Sequence, residues 1–204
     1  MGFAGNQIPE LTTKKVREVR IISGRNKGRK LLVPQGSSIR PTSDRIRESI
    51  FNILNSYLRG GFSGKVVADL FSGTGALGLE TLSRGAQLAI FVDKQSDAIN
   101  LIKHNVQNFE EENTLVLKRD ATRIGTLPNG CIKANIAFLD PPYEQGLVSK
   151  ALESLIYNKW LEPNALCIIE MSAKETFNCL VEFERVDERK YGRTIIYFIR
   201  FKTN

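Results

Sequence analysis

The chain has 204 residues, of which 42% are hydrophobic and 25% charged, the composition of a single globular domain with at most a small appendage. It has no apolar run near the roughly 18 residues that span a bilayer, and no secretory leader pattern. Its three cysteines lack disulfide or zinc spacing, so we expect a protein of the reducing cytoplasm with no membrane or metal partner. The net charge of +7 divides into +9 over residues 14–47 and −2 elsewhere, which indicates a polyanion bound from one side.

The N-terminal part of the chain predicts a basic hairpin. Residues 1–15 have no periodicity, and we expect them to be flexible. Residues 16–23 and 30–33 favour strands around a glycine-rich turn, so an appendage is predicted over residues 16–40, ahead of a main domain over 41–204. The basic side chains predicted to meet the polyanion are Arg25, Lys27, Arg29, Lys30, Arg40, Arg45 and Arg47.

The main domain begins with a predicted amphipathic helix. Thr42 or Ser43 can cap it, and Asp44 lies in its first turn. Its apolar residues recur at helical spacing and form one stripe: Ile46, Ile50, Ile53, Leu54, Tyr57 and Leu58.

From residue 65 onward, strand and helix patterns alternate. Strands are predicted at 66–68, 88–92, 114–117, 136–139, 165–171, 181–186 and 194–201, and helices at 76–84, 96–108 and 147–156. This predicts an α/β, Rossmann-like fold with a seven-stranded, mostly parallel sheet and helices on both faces. No helix separates the last two strands, so one strand should run antiparallel.

A glycine-rich motif links the first two of these elements. The segment from Gly73 to Gly78 matches G-x-G-x-x-G, and Asp93 ends the next strand 20 residues after Gly73. Glycines let the backbone approach a nucleotide, and the acid can accept from ribose hydroxyls. The motif alone does not separate nicotinamide or flavin from S-adenosylmethionine (AdoMet).

Four acids follow successive strands. Asp69 precedes the glycine turn, where a carboxylate would oppose a pyrophosphate but suit a cationic ligand. Asp120 ends the third strand, where it could accept from an adenine amino group. With Asp93 and Asp140, these acids favour AdoMet as the ligand of this sheet edge.

The segment Asp140-Pro141-Pro142-Tyr143 follows a buried strand. The prolines fix φ and remove two backbone donors, which leaves carbonyl oxygens free to accept. Acceptors beside an aromatic face suit a planar ring that carries an amino group. The sequence therefore predicts that an amino-bearing base is bound here.

These motifs together resemble the RsmD family of bacterial AdoMet-dependent class I methyltransferases. The resemblance is carried by residues 20–24, 27–29, 40–48, 69–80 and 138–143, and it runs from Arg20 to Phe201. The block R-P-T-x-D-R-x-R-E at 40–48 is its most specific part, because many methyltransferases share the glycine turn and D-P-P-Y.

The resemblance implies AdoMet-dependent methylation of guanine N2 in 16S rRNA, within an assembling small ribosomal subunit, by a monomer. It implies catalytic roles for Asp140, Pro141, Pro142 and Tyr143. The implied cofactor residues are Asp69, Phe71, Ser72, Gly73, Gly75, Asp93, Lys94, Asp120, Ala121 and Asp140. The basic residues named above would contact rRNA phosphates.

Three alternatives stay open. A DNA adenine-N6 methyltransferase also uses D-P-P-Y, although such enzymes usually carry a second domain to read DNA, and only about 40 residues precede the predicted catalytic fold. A non-catalytic RNA-binding assembly factor could keep the same fold. A nicotinamide oxidoreductase is the most distant. Whether Asp140 would act as a general base or only orient the amino group is also open.

Overall fold

A computed structural model of the chain describes residues 19–33, 44–142 and 146–202. Two short strands and one helix come first: β1 (Val19–Arg20), β2 (Lys30–Leu31) and α1 (Asp44–Tyr57). The main domain continues with β3 (Val66–Leu70), α2 (Ala76–Ser83), β4 (Leu88–Asp93), α3 (Ser96–Asn108), β5 (Thr114–Lys118), a 3-10 turn (Ala121–Arg123), β6 (Ala134–Leu139), α4 (Leu147–Tyr157), β7 (Leu161–Ser172), β8 (Phe183–Tyr191) and β9 (Thr194–Phe201).

The main sheet has the strand order β5-β4-β3-β6-β7-β9-β8. The first five strands in this order are parallel, while β9 runs antiparallel to both β7 and β8. The predicted seven-stranded sheet with one antiparallel strand is therefore confirmed. The order reverses between β3 and β6, and such a reversal opens a crevice at the carboxyl ends of the strands.

Both faces of the sheet are covered. Helices α1, α2 and α3 bury Leu54, Leu82 and Ile102 on one face. Helix α4 and the 3-10 turn bury Leu152 and Ala121 on the other. Because β3 is buried along its whole length, its sequence reads as an apolar run with only Asp69 interrupting it.

The N-terminal hairpin is confirmed, but its strands have only two residues each. Ile21 still pairs across the hairpin, since its N–H donates to the Arg29 carbonyl at 2.9 Å, but the amides beyond it bond to side chains of the main domain. Ile22 N and Ser23 N donate to the two carboxylate oxygens of Glu80 at 2.7 and 3.0 Å, and Leu32 N donates to Asn105 Oδ1 at 2.9 Å. The hairpin thus packs onto α2 and α3.

Strand β8 extends to Tyr191, five residues beyond the predicted end at 186. It is an edge strand with charged, exposed residues and a register irregularity between Arg185 and Asp187. Charged residues and bulges are common on edge strands, and they conceal the apolar alternation that strand prediction relies on.

No helix in the described ranges is long and apolar enough to cross a membrane.

Candidate active site at the carboxyl edge of the sheet

The glycine turn between β3 and α2 has an unusual backbone. Phe71, Gly73 and Gly75 have φ values of 57°, 54° and 76°, in the left-handed region. The nearest atom to a Cβ built at Gly73 would be 3.9 Å away, while one at Gly78 would lie 2.3 Å from the Phe91 ring. Gly78 thus lets α2 pack against β4, whereas Gly73 leaves open space beside the turn.

Two side chains fix this turn against β4. The hydroxyl of Ser72 accepts from Val92 N at 2.9 Å and also contacts the Asp69 carbonyl. Asp93 Oδ2 accepts from Gly73 N at 3.0 Å, and its Oδ1 accepts from Gln95 N at 2.9 Å. The structure shows that Ser72 and Asp93 hold the turn in position; that they bind the cofactor stays a prediction.

Asp69 lies inside β3 and is 2% exposed. Its Oδ2 accepts from Gly78 N at 2.9 Å, so the carboxyl group supports the start of α2. Burial, with a smaller contribution from the Asp93 charge, raises the pKa of Asp69 from 3.8 to about 7. A cation nearby would stabilise its ionised form.

Asp120 caps the 3-10 turn that follows β5. Its Oδ1 accepts from Thr122 N at 2.9 Å and from Thr122 Oγ1 at 2.7 Å. These bonds, helped by the charges of Lys94 and Arg123, lower the pKa of Asp120. Lys94 is exposed, whereas Ala121 is buried against the core. Asp120 is therefore an ionised acceptor held at the sheet edge.

Asp140 directly follows β6, the strand that pairs with β3. The register sets Leu70 beside Leu139, so Asp140 adjoins the glycine turn across the reversal in strand order. Burial raises the pKa of Asp140 well above its ordinary value, and the charges of Glu170 and Asp69 raise it further. Pro141 is buried and Pro142 is exposed. Tyr143, the last residue of the motif, lies outside the described residues.

The turn of the basic hairpin packs on the C-terminal ends of α2 and α3. Arg25 forms an ion pair with the buried Glu111, and Arg29 donates to the Asn108 carbonyl and stacks over Phe109. Glu111, Asn108 and Phe109 lie at the end of α3, opposite the glycine turn. Arg25 and Arg29 thus also attach the hairpin to the protein.

Predicted phosphate contact does not hold for Arg47. Arg47 is 1% exposed, and its guanidinium group donates to the Arg20 carbonyl at 2.6 Å and to Asp44 Oδ1 at 2.7 Å. It joins α1 to β1 instead of facing solvent. Lys27, Lys30 and Arg45 are exposed, and Arg40 lies outside the described residues.

Sequence reasoning missed three buried polar residues. Glu80 is 0% exposed and also accepts from Arg84 Nε at 2.8 Å. Asn105 Nδ2 donates to the carbonyls of Thr74, at 2.9 Å, and Leu32, at 3.2 Å. Glu170 lies in β7 near Asp140. The available signal was an isolated polar residue at a buried position of a helix or strand.

A cleft of about 580 Å³ lies at the opposite, amino edge of the sheet, and its lining includes Lys65, Asn135 and Ala165. None of the candidate residues line this cleft, so it is unrelated to the predicted site. Among the described residues, no cluster of three His, Cys, Asp or Glu side chains could hold a metal ion.

The parallel sheet, its reversal between β3 and β6 and the glycine turn at that point define the Rossmann-like fold of class I methyltransferases. A solved Escherichia coli protein, provisionally described as methyltransferase yhhF, superposes with a TM-score of 0.79 at 30% identity, over 92% of this chain and 99% of that one.

The chain belongs to the family described as conserved hypothetical protein 95, whose sequence model matches residues 19–200. The Haemophilus influenzae protein named Ribosomal RNA small subunit methyltransferase D is 36% identical over 155 residues, 75% of this chain and 78% of that protein. The Escherichia coli K12 protein of the same name is 35% identical over 153 residues, 75% of this chain and 74% of that protein. The resemblance to the RsmD family is thereby confirmed.

Proposed function

We propose that this protein transfers a methyl group from AdoMet to the exocyclic N2 amino group of a guanine in 16S rRNA. The names of its relatives support an rRNA of the small subunit as substrate. One observation carries the chemistry: β3 and β6 are neighbours, so the glycine turn and Asp140 adjoin at the crevice. A methyl donor on one side and an amino-bearing base on the other would meet there.

The residues at the edge fit AdoMet. The open space beside Gly73 lets a ligand approach the backbone of the turn, where Phe71, Ser72 and Gly75 would also contribute. Asp93 and Lys94 would hold the ribose, and Asp120 and Ala121 the adenine. The carboxyl groups of Asp69 and Asp140 suit a cationic ligand, because a nearby cation would stabilise their ionised forms. When bound, AdoMet supplies an electrophilic methyl group on a sulfonium.

The proposed role of the D-P-P-Y motif follows from the weakness of the nucleophile. The lone pair of a guanine amino group is delocalised into the ring, so catalysis depends mainly on positioning. The Asp140 carboxyl and the Pro141 carbonyl would accept the two amino protons and direct the nitrogen toward the methyl group. Because burial raises the pKa of Asp140, this carboxyl group can also take the proton that the methylated nitrogen releases. Stacking of the base on Tyr143 stays a prediction.

The proposed RNA surface consists of the predicted basic residues other than the buried Arg47. Lys27, Lys30 and Arg45 are exposed, while Arg25 and Arg29 keep part of their surface beside their internal contacts. Phosphate contacts of this kind set affinity and register without reading sequence. We infer an assembling small subunit as the substrate particle and a monomeric enzyme.

The decisive experiment compares 16S rRNA from cells with and without this protein. We expect one N2-methylguanine to disappear in its absence and to return when purified protein and AdoMet are added to the deficient subunits. An unchanged methylation map would reject the proposal.

A variant pair then tests the site. Asp140→Ala should lower the methyl-transfer rate about 100-fold or more, the usual contribution of a positioned proton acceptor, while calorimetry shows AdoMet affinity largely kept. Asp187→Ala, on the edge strand β8, is the matched control and should transfer methyl groups at the wild-type rate. Near-wild-type turnover by Asp140→Ala would remove the role given to this residue.

A further inference from the structure

Glu170 of β7 lies beside Asp140 at the same level of the sheet. The register of the parallel pair β6 and β7 sets Leu139 opposite Ile169. Asp140 and Glu170 are the next residues on the two neighbouring strands. A second carboxyl group therefore borders the place where the proposed function puts the guanine amino group.

The two side chains also share one face of the sheet. Alternation along the strands puts Asp140 on the side of Phe138, and Glu170 on the side of Ile168. Both Phe138 and Ile168 belong to the core cluster under α1, α2 and α3. Glu170 is 9% exposed, so little water surrounds it, and its charge raises the pKa of Asp140. The two carboxyl groups are thus close enough to interact.

A pair of neighbouring acceptors matches guanine and not adenine. The Watson–Crick edge of guanine carries an N1–H donor beside the 2-amino donor, whereas adenine has an acceptor at N1. A carboxylate can accept both guanine donors, but it meets the adenine N1 lone pair with repulsion.

We propose that Glu170 accepts the N1–H of the target guanine while Asp140 accepts a proton of its 2-amino group, which makes Glu170 the residue that selects guanine over adenine. This inference rests on the proposed function. It adds a specificity determinant to that site and assigns no separate site. It also gives a structural reason for a D-P-P-Y enzyme to act on guanine N2 instead of adenine N6.

The test uses a base that keeps the 2-amino methyl acceptor and inverts N1 from donor to acceptor. In 2,6-diaminopurine the O6 acceptor also becomes an amino donor, so the difference between wild type and a Glu170 variant isolates the reading of N1. Small subunits are assembled from ligated 16S rRNA with either guanine or 2,6-diaminopurine at the mapped position. The kcat/KM for radiolabelled methyl transfer is then measured for wild type, Glu170→Gln and the control Glu153→Gln, an exposed residue of α4.

Wild type should prefer guanine by roughly 10- to 100-fold, the range for one hydrogen bond to a charged acceptor. Glu170→Gln should lower this preference by about 10-fold, because an amide can donate to the N1 of 2,6-diaminopurine. Glu153→Gln should keep the wild-type preference. A purely structural role for Glu170 would reduce stability or overall rate and leave the preference unchanged.

The outcomes separate the two proposals. If wild type methylates both bases equally, N1 is not read and the role of Glu170 is rejected, whether or not the variant folds. A preference for guanine that survives in Glu170→Gln rejects it as well. If wild type methylates neither subunit, the proposed function itself fails.

Discussion

The docking of the hairpin onto α2 depends on one glycine. Gly24 has a φ of 81°, and a Cβ there would lie 1.9 Å from the Ser83 carbonyl oxygen. Around this contact, Arg25 N donates to the Ser83 carbonyl at 2.9 Å, and Asn26 N donates to Ser83 Oγ at 2.9 Å. Ser83 Oγ in turn donates to the Ser23 carbonyl at 2.6 Å. An added methyl group must displace the turn and break these bonds.

These contacts set how much Gly24→Ala lowers the opening free energy of the hairpin. The left-handed backbone costs a non-glycine residue about 1–2 kcal/mol. Three hydrogen bonds at about 1 kcal/mol each add about 3 kcal/mol. We therefore expect the opening free energy of residues 19–33 to fall by about 4 kcal/mol, which accelerates amide exchange there roughly a thousandfold.

Gly28→Ala is the matched control for this substitution. Gly28 lies in the same turn with a φ of 84°, but a Cβ there would have no atom within 4 Å. Gly28→Ala should lower the opening free energy only by the cost of the left-handed backbone, about 1–2 kcal/mol, which accelerates amide exchange roughly tenfold. Hydrogen exchange followed by mass spectrometry measures both variants. Equal acceleration in the two would refute the idea that the Ser83 contact holds the hairpin.

Two further predictions concern buried polar groups near the glycine turn. Burial raises the pKa of Asp69 to about 7 in the folded protein. The stability that this group contributes is therefore complete below about pH 4 and is lost as the pH rises toward 7. Asp69→Asn should remove this loss, so the unfolding free energies of variant and wild type, measured in urea without cofactor, should diverge by on the order of 3 kcal/mol between about pH 4 and pH 8; parallel pH profiles would contradict this. Asn105→Ala should cost about 2–3 kcal/mol and weaken AdoMet binding, because it leaves the Thr74 and Leu32 backbone groups without their amide partner. The control Asn100→Ala, at an exposed position of the same helix, should change neither unfolding nor calorimetric affinity, and an unchanged affinity in Asn105→Ala would show that the turn does not need this amide.

The elements that the sequence predicted well are those whose side chains are buried on both faces. Strands β3, β4, β6 and β7 read as apolar runs because helices cover both sides of the sheet. The charged residues of β8 hid most of that strand. The shortness of β1 and β2 could not be predicted, because the groups that replace their ladder bonds, Glu80 and Asn105, lie more than 50 residues away in the chain.

The candidate site could be predicted only in part, because only some of its features are local sequence patterns. The glycine turn and the acids that follow strands are local patterns, and the sequence places each at a strand end. Which of them adjoin depends on strand order, and no local pattern encodes that β3 pairs with β6. The same limit hid Glu170, which becomes a neighbour of Asp140 only through the pairing of β6 with β7.

Several basic residues of the N-terminal segment make contacts within the protein. The segment's net charge of +9 predicted a basic hairpin that meets a polyanion from one side. The guanidinium groups of Arg25 and Arg47 instead pair with Glu111 and Asp44, and the hairpin turn lies at the far end of α2 and α3. Part of the positive charge therefore stabilises the hairpin, and fewer cations are available to bind phosphates than the composition indicates. Since Asn105 ties the end of the hairpin to Thr74 in the glycine turn, we infer that the segment supports the cofactor side of the crevice as well as any RNA bound beside it.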